Sequence, residues 1–240
     1  MRTISALLVL TFAGTASAAD FPRYAPVGPA AVTPAPLWSG PYIGGHIGGG
    51  WATARSDFST TGPAFGTADN RLAGIAGGLQ LGYNWQSRHW VYGAEADFSI
   101  TNMDGSLATS CPAALCGIAL AATYDQKMPW FGTVLGRLGY AQDGWLIYVT
   151  GGYAYTRLQT EATASAGAGT ALSQHTFRNG WTAGGGIEVA LTRQWSLKTE
   201  YLYMDFGSHT TTWTVPGLPA LTDATKLNMN LVRAGVNYRF

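Results

Sequence analysis

Charge is what this sequence has least of. Asp, Glu, Lys and Arg make up 11% of its residues, where about a quarter is ordinary in soluble domains. So little charge does not suit a cytosolic enzyme. Without Arg2 the chain carries 13 acidic and 13 basic residues, and a balance near zero gives no basis for binding nucleic acid. Long apolar runs are also missing: no segment offers the roughly 18 uninterrupted apolar residues of a spanning helix, so a helical membrane protein is not expected. There are 2 cysteines and 4 histidines. Cys111 and Cys116 enclose Pro112-Ala113-Ala114-Leu115. In an oxidising compartment this spacing predicts a local disulfide. A metal pair is the rival reading, and no neighbouring His or Cys completes a site.

What the chain has instead is Gly 32, Trp 9 and Tyr 12. Trp and Tyr collect where lipid meets water. The N-terminus reads as an export signal: Arg2, then the apolar run Ile4 to Phe12, then Ala16-Ser17-Ala18, which places cleavage after Ala18. It is too short to span as a helix, and no stop-transfer run follows. Residues 19–37 hold Pro22, Pro26, Pro29, Pro34 and Pro36 and predict an extended periplasmic lead-in. An exported chain with membrane-like composition and no spanning helix leaves the closed β-barrel, because backbone polar groups in lipid must all be paired.

Period-two alternation then defines eight strands, near 39–52, 72–86, 90–102, 123–141, 145–158, 176–191, 195–207 and 226–240. Tight turns at Ser87-Arg88-His89, Gln142-Asp143-Gly144 and Thr192-Arg193-Gln194 alternate with long Ser/Thr/Ala/Gly-rich links near 53–71, 103–122, 159–175 and 208–225. Short periplasmic turns and long outer loops are the pattern of an outer-membrane barrel. The expectation is therefore all-β: an eight-stranded antiparallel transmembrane up-and-down barrel over 38–240, with both termini on the periplasmic side. A soluble lipocalin-like barrel or a sandwich would put the apolar face inward. The charges decide between them. Glu95 and Asp97 lie opposite Trp90, Tyr92 and Phe98, Arg137 opposite Leu138 and Tyr140, and Glu188 opposite Ile187 and Val189. Lys198 and Glu200 lie opposite Leu197 and Tyr201. In the closing strand, NLVRAGVNYRF, Arg233 and Arg239 lie opposite Val232, Val236 and Tyr238. Lipid on the apolar face puts four acids and four bases in a narrow lumen, where buried charges must pair. Inward glycines, among them Gly44, Gly48, Gly82 and Gly186, leave them room.

WSGPYIGGHIGGGW, GGLQLGYNWQ, WVYGAEADF, GRLGYA, WLIYVTGGYAY, TEYLYMDFG and the terminal LVRAGVNYRF follow in order along 38–240. Together they resemble the alphaproteobacterial outer-membrane surface-antigen, porin-like family (RopB-type), whose barrel is similar to the OmpA transmembrane domain. The resemblance implies a surface-exposed, immunogenic barrel in the cell outer membrane, a role in envelope integrity or host contact, and no settled enzymatic activity. Outer-membrane lipid, lipopolysaccharide and the outer-membrane assembly machinery are the expected partners, with a host ligand as a further candidate. Neither a peptidoglycan-binding domain after the barrel nor cell-wall anchoring of the OmpA kind is expected. A terminal aromatic strand resembles an assembly signal, which singles out Tyr238 and Phe240. Some relatives are described as binding haemin, and no loop pattern carries that property to particular residues here.

The residues themselves offer little catalysis. His46 faces inward, His89 sits in a turn, and His175 and His209 flank outer loops. Asp205 is near His209, but no motif joins them into an acid–base pair. His175 and His209 are chemically able to ligate haem iron, though solvated loop histidines are the simpler reading. The Gly runs at 44–50 and 184–186 lack the GK[ST] ending of a phosphate loop. Thr60-Thr61, Thr210-Thr211-Thr212 and Trp213 are candidates for meeting a host ligand or lipopolysaccharide. No catalytic, cofactor or metal site is expected. The functional readings are a closed structural surface barrel, a narrow porin for small solutes, and ligand binding by the outer loops.

Overall fold

The computed structural model describes residues 37–59, 64–111, 120–164, 171–213 and 221–240. The expected leader 1–18, the expected lead-in up to residue 36, Thr60-Thr61, Cys116 and the side chains of Cys111 and Trp213 lie outside what is described. Eight strands follow in order: β1 Gly40–Ser59, β2 Ala64–Ser87, β3 Trp90–Cys111, β4 Leu120–Gln142, β5 Trp145–Ala164, β6 Ala171–Ala190, β7 Trp195–Trp213 and β8 Leu221–Arg239. Each pairs antiparallel with the next. β8 returns to β1, from Tyr42↔Arg239 to Ser59↔Thr222, and closes the barrel.

The turns at one end are tight for identifiable reasons. Asp143 and Gly144 both adopt positive φ, 48° and 84°, as a two-residue hairpin of primed type requires, and Asp-Gly tolerates that best. Arg88 carries φ 56° in the corresponding turn. Between β6 and β7, Thr192 Oγ1 accepts hydrogen bonds from the backbone N–H groups of Gln194 and Trp195. Trp38, before β1, and Phe240, after β8, lie at this same end, since Phe240 N–H donates to Pro41 O.

Alternation sorts every strand into two faces. Outward residues such as Ile47, Leu79, Leu81, Val134, Ile147 and Val149 are more than half exposed, too much contiguous apolar surface for water. Aromatics bound this band. Trp85, Trp90, Tyr92, Tyr140, Trp145 and Trp195 ring the turn end; Trp51, Phe98, Trp130, Tyr153 and Trp181 ring the other. An apolar belt between two aromatic girdles is what a bilayer selects.

The structure departs from the sequence reading at the outer end. The strands continue well past the outer girdle, so most of the four expected loops are paired strand. Thus β1 runs to Ser59, and β3 pairs with β4 as far as Cys111↔Leu120. Beyond lipid the outward positions no longer have to be apolar, so the period-two signal fades while backbone pairing persists. His175 and His209 accordingly lie on β6 and β7, both exposed, rather than in loops. Bulges at Ile100/Met103 on β3 and at Lys127/Phe131 on β4 shift the alternation beside the outer girdle.

Candidate functional site

The lumen collects the charged side chains. Arg233 stands at its centre, opposite Glu200 on the neighbouring strand. Its guanidinium reaches Glu200 at 2.6 Å, Asp97 at 3.2 Å and Glu95 at 3.3 Å. Lys198 Nζ lies 2.8 Å from Glu95 and 3.6 Å from Glu200. Arg137 pairs with Glu188 and lays its guanidinium 3.6 Å over the ring of Tyr148. All of these groups are buried. Glycine makes the space: a Cβ on Gly48 would overlap Val232 O and Arg233, and one on Gly82 would overlap the Tyr42 ring.

Seven of the eight charged residues singled out from sequence meet in these two clusters. Arg239 does not. Among the described residues it pairs with no carboxylate. It sits at the periplasmic mouth, donates to Leu37 O, and lies 4.5 Å from the centre of the Trp38 ring. Four acids therefore face three bases, and neutral donors supply further bonds to the acids. Tyr42 donates to Glu95 (2.7 Å), Thr133 to Asp97 (2.5 Å), and Ser196 and Asn237 to Glu188 (2.5 and 3.1 Å). Sequence reasoning missed these donors. Their only signal was inward parity on their strands.

Three further layers complete the lumen, and none was anticipated. At the periplasmic mouth Trp38 is 1% exposed and packs on Val91, Ala141, Leu146 and Tyr148; Gln86 fixes it by accepting from the Trp38 N–H at 2.9 Å. On the outer side of the ion pairs lies an apolar layer. It includes Leu72, Phe131, Leu135, Leu202, Leu227 and Leu231 with Met103, Met128, Met204 and Met229. Above that is a polar layer. Asn70 donates to Gln126 (3.0 Å), Ser56 shares a hydrogen bond with Thr225 (3.0 Å), Thr225 donates to Asp223 (3.0 Å), and Arg178 donates to Thr225 O (3.1 Å).

A hydroxyl–imidazole pair does occur: His46 Nε2 lies 2.8 Å from Ser99 Oγ, with Gln80 3.0 Å from Nδ1. The pair has the form of an activated nucleophile, but it is sealed between the ion pairs and the apolar layer, and Gln80 occupies the place of an orienting acid. No group of three metal-ligating side chains converges among the described residues. Tyr238 stacks edge-on against Trp195 and Phe240, and Phe240 is 76% exposed.

The chain resembles known proteins along its whole length. The 31 kDa outer-membrane immunogenic protein of Brucella melitensis biotype 1 is 34% identical over 258 residues, covering 99% of this chain and 98% of that protein. The 25 kDa outer-membrane immunogenic protein of Brucella abortus biovar 1 is 30% identical over 251 residues, all of both chains. The 22 kDa outer membrane protein of Rhizobium leguminosarum bv. viciae is 29% identical over 179 residues, 75% of this chain and 69% of that one. Among solved structures, OprG from Pseudomonas aeruginosa superposes with a TM-score of 0.54 at 17% identity, covering 84% of this chain and 96% of that one. The Escherichia coli outer membrane protease OmpT gives 0.50 at 9% identity, covering 83% and 97%. These two likenesses show the fold alone. Residues 4–240 match the outer membrane protein beta-barrel domain family, and with its closed lipid-facing barrel the chain belongs to that family of the cell outer membrane.

Proposed function

We propose that the protein is a closed, surface-exposed structural barrel that supports envelope integrity and presents its outer end to a host or the surroundings. The observation that carries this reading is the filled lumen. Ion pairs, an apolar layer and the Trp38 closure lie in series across it. A conducting pore needs a wet path, and eight-stranded barrels generally have interiors just wide enough for side chains to fill. Contact with lipopolysaccharide is supported by the outer wall. Arg55, Arg71, Lys127, Arg157 and Lys226 are exposed just beyond the outer girdle, at the depth of phosphorylated headgroups. Single-channel recording on refolded protein in planar bilayers tests the reading. Little or no steady conductance is expected; large, stable openings would overturn it in favour of a narrow porin.

A further inference from the structure

Beyond the outer girdle the barrel wall is no longer continuous. Pairing of β6 with β7 stops at Trp181↔Asp205, although β6 stays paired with β5 up to Thr163↔Ala171 and β7 with β8 up to Trp213↔Leu221. Pairing of β2 with β3 stops at Ala73↔Asp104. The outer wall is therefore two four-stranded sheets, β7-β8-β1-β2 and β3-β4-β5-β6, with two seams unpaired among the described residues.

The two seams differ. Side chains stitch the base of the β2–β3 seam: Asn70 donates to Gly105 O (3.2 Å) and Asn102 accepts from Ile75 N–H (2.7 Å). Charges at Asp69, Arg71 and Asp104 flank it, and charges on an edge discourage a further strand. The β6–β7 seam has less protection: Arg178 alone crosses its base, from β6 to Thr225 O on β8. From Ala171 to Gly180 and from Phe206 to Trp213 the sole charged residue is Arg178, and there is no proline. Where these strands part, β7 carries a single extra residue. Gly207, at φ +66°, forms a bulge against β8 between Asp205 and Ser208, with its N–H held by Asp205 Oδ1 at 2.8 Å. A bulge bends its strand and disrupts the ladder locally, and pairing of β7 with β6 stops where this bulge begins. Gly180 still lies against the Asp205–Phe206 backbone; beyond it, Ala171 to Asn179 on β6 and Gly207 to Trp213 on β7 have no ladder partner across the seam among the described residues. At the foot of the seam Arg178 is 4% exposed, and its Nε has no partner.

We propose that the β6–β7 seam is a docking site for an extended, uncharged polypeptide segment, added as a strand on the outer side of the membrane. Only a peptide backbone repeats donors and acceptors at the spacing these edges present, which is the basis of strand addition. The Arg178 Nε–H supplies one further donor, for a carbonyl or hydroxyl of the guest. The site is independent of whether the lumen conducts, so binding and conductance measurements fail separately.

The test uses the full chain folded in detergent micelles and a phage-displayed library of linear decapeptides, counter-selected on a variant with Gly207 deleted. Deleting that residue restores one register along β7 and lets it remain against β6. Enriched peptides, resynthesised, are expected to bind the natural chain, to lose at least tenfold in affinity when alternate backbone amides are N-methylated, and to lose binding to the deletion variant. Should the deletion variant not fold by heat-modifiable gel migration, Thr210→Lys takes its place and should show the same loss. No enrichment over the variant would overturn the proposal. So would binding that is indifferent to N-methylation. A monomer–dimer equilibrium in sedimentation that vanishes in the variant would assign the seam to a second copy of the chain instead, and would equally overturn it.

Discussion

Arg233 shows how the lumen is balanced at the scale of one residue. It touches three carboxylates, those of Glu95, Asp97 and Glu200. Arg233→Ala would leave them Lys198 as their one paired base among the described residues, and an uncompensated buried charge costs about 3–5 kcal/mol. Urea unfolding followed by tryptophan fluorescence in lipid should show a loss of that size. Arg233→Lys should lose less, because it keeps the charge but not the planar fork that engages several oxygens. Equal stability for both variants and the natural chain would mean the pairs contribute nothing. That these groups face inward was legible in the sequence, since a charge within a lipid-facing alternation has one face open to it. Their partners were not legible. Lys198 stands directly opposite Glu188 in the β6–β7 register, yet its ammonium goes to Glu95 on β3, across the lumen. That choice is set by barrel closure and by Arg137 already holding Glu188, neither of which is local to any strand.

At the scale of the element, β8 sets a graded expectation for the lipid face. Its outward residues run Asn230, Val232, Ala234, Val236 and Tyr238. Tyr238 packs on Trp195 in the periplasmic girdle, and Asn230 accepts a hydrogen bond from Tyr201 near the outer one. Ala234 therefore lies midway. Ala234→Arg should cost roughly 2–4 kcal/mol and Val236→Arg less, since the penalty for a lipid-facing charge falls toward the interface. Folded fractions in a urea series, read by heat-modifiable migration, would rank them; a larger cost for Val236→Arg would contradict the depth assigned here. Strand number, facing and the three tight turns could be read from sequence because lipid imposes strict alternation on the outward side. The outer halves of the strands could not. Segments such as Thr210-Thr211-Thr212 are polar on both faces, and paired backbone there leaves no periodic trace. The apolar layer was hidden by the opposite circumstance. In β7, Leu202, Met204 and Phe206 point inward while Tyr201 points outward, so both faces read as apolar and the charged-inside pattern says nothing about them.

For the whole molecule, the arrangement of layers makes a prediction that no single layer makes. Resistances in series are governed by the largest one, so opening one layer leaves the barrel closed. Arg137→Ser with Glu188→Ser removes both partners of a buried pair and strands neither charge, which is far gentler than removing one. That variant should remain non-conducting, because the apolar layer stands above it. Phe131→Ala with Met229→Ala hollows the apolar layer at a cost of about 2–5 kcal/mol per residue. It should also remain non-conducting, because the cluster around Arg233 stands below it. Combining the four substitutions with Trp38→Ala, which uncovers the periplasmic mouth, still leaves the cluster around Arg233 in the path; only when Arg233→Ser with Glu200→Ser, partners in that cluster, are added should the combination give measurable steady current in planar bilayers, with folding verified by gel migration. If either double variant alone conducted as well as the combination, the layers would not act in series, and a single gate would have to be sought in the layer that was opened.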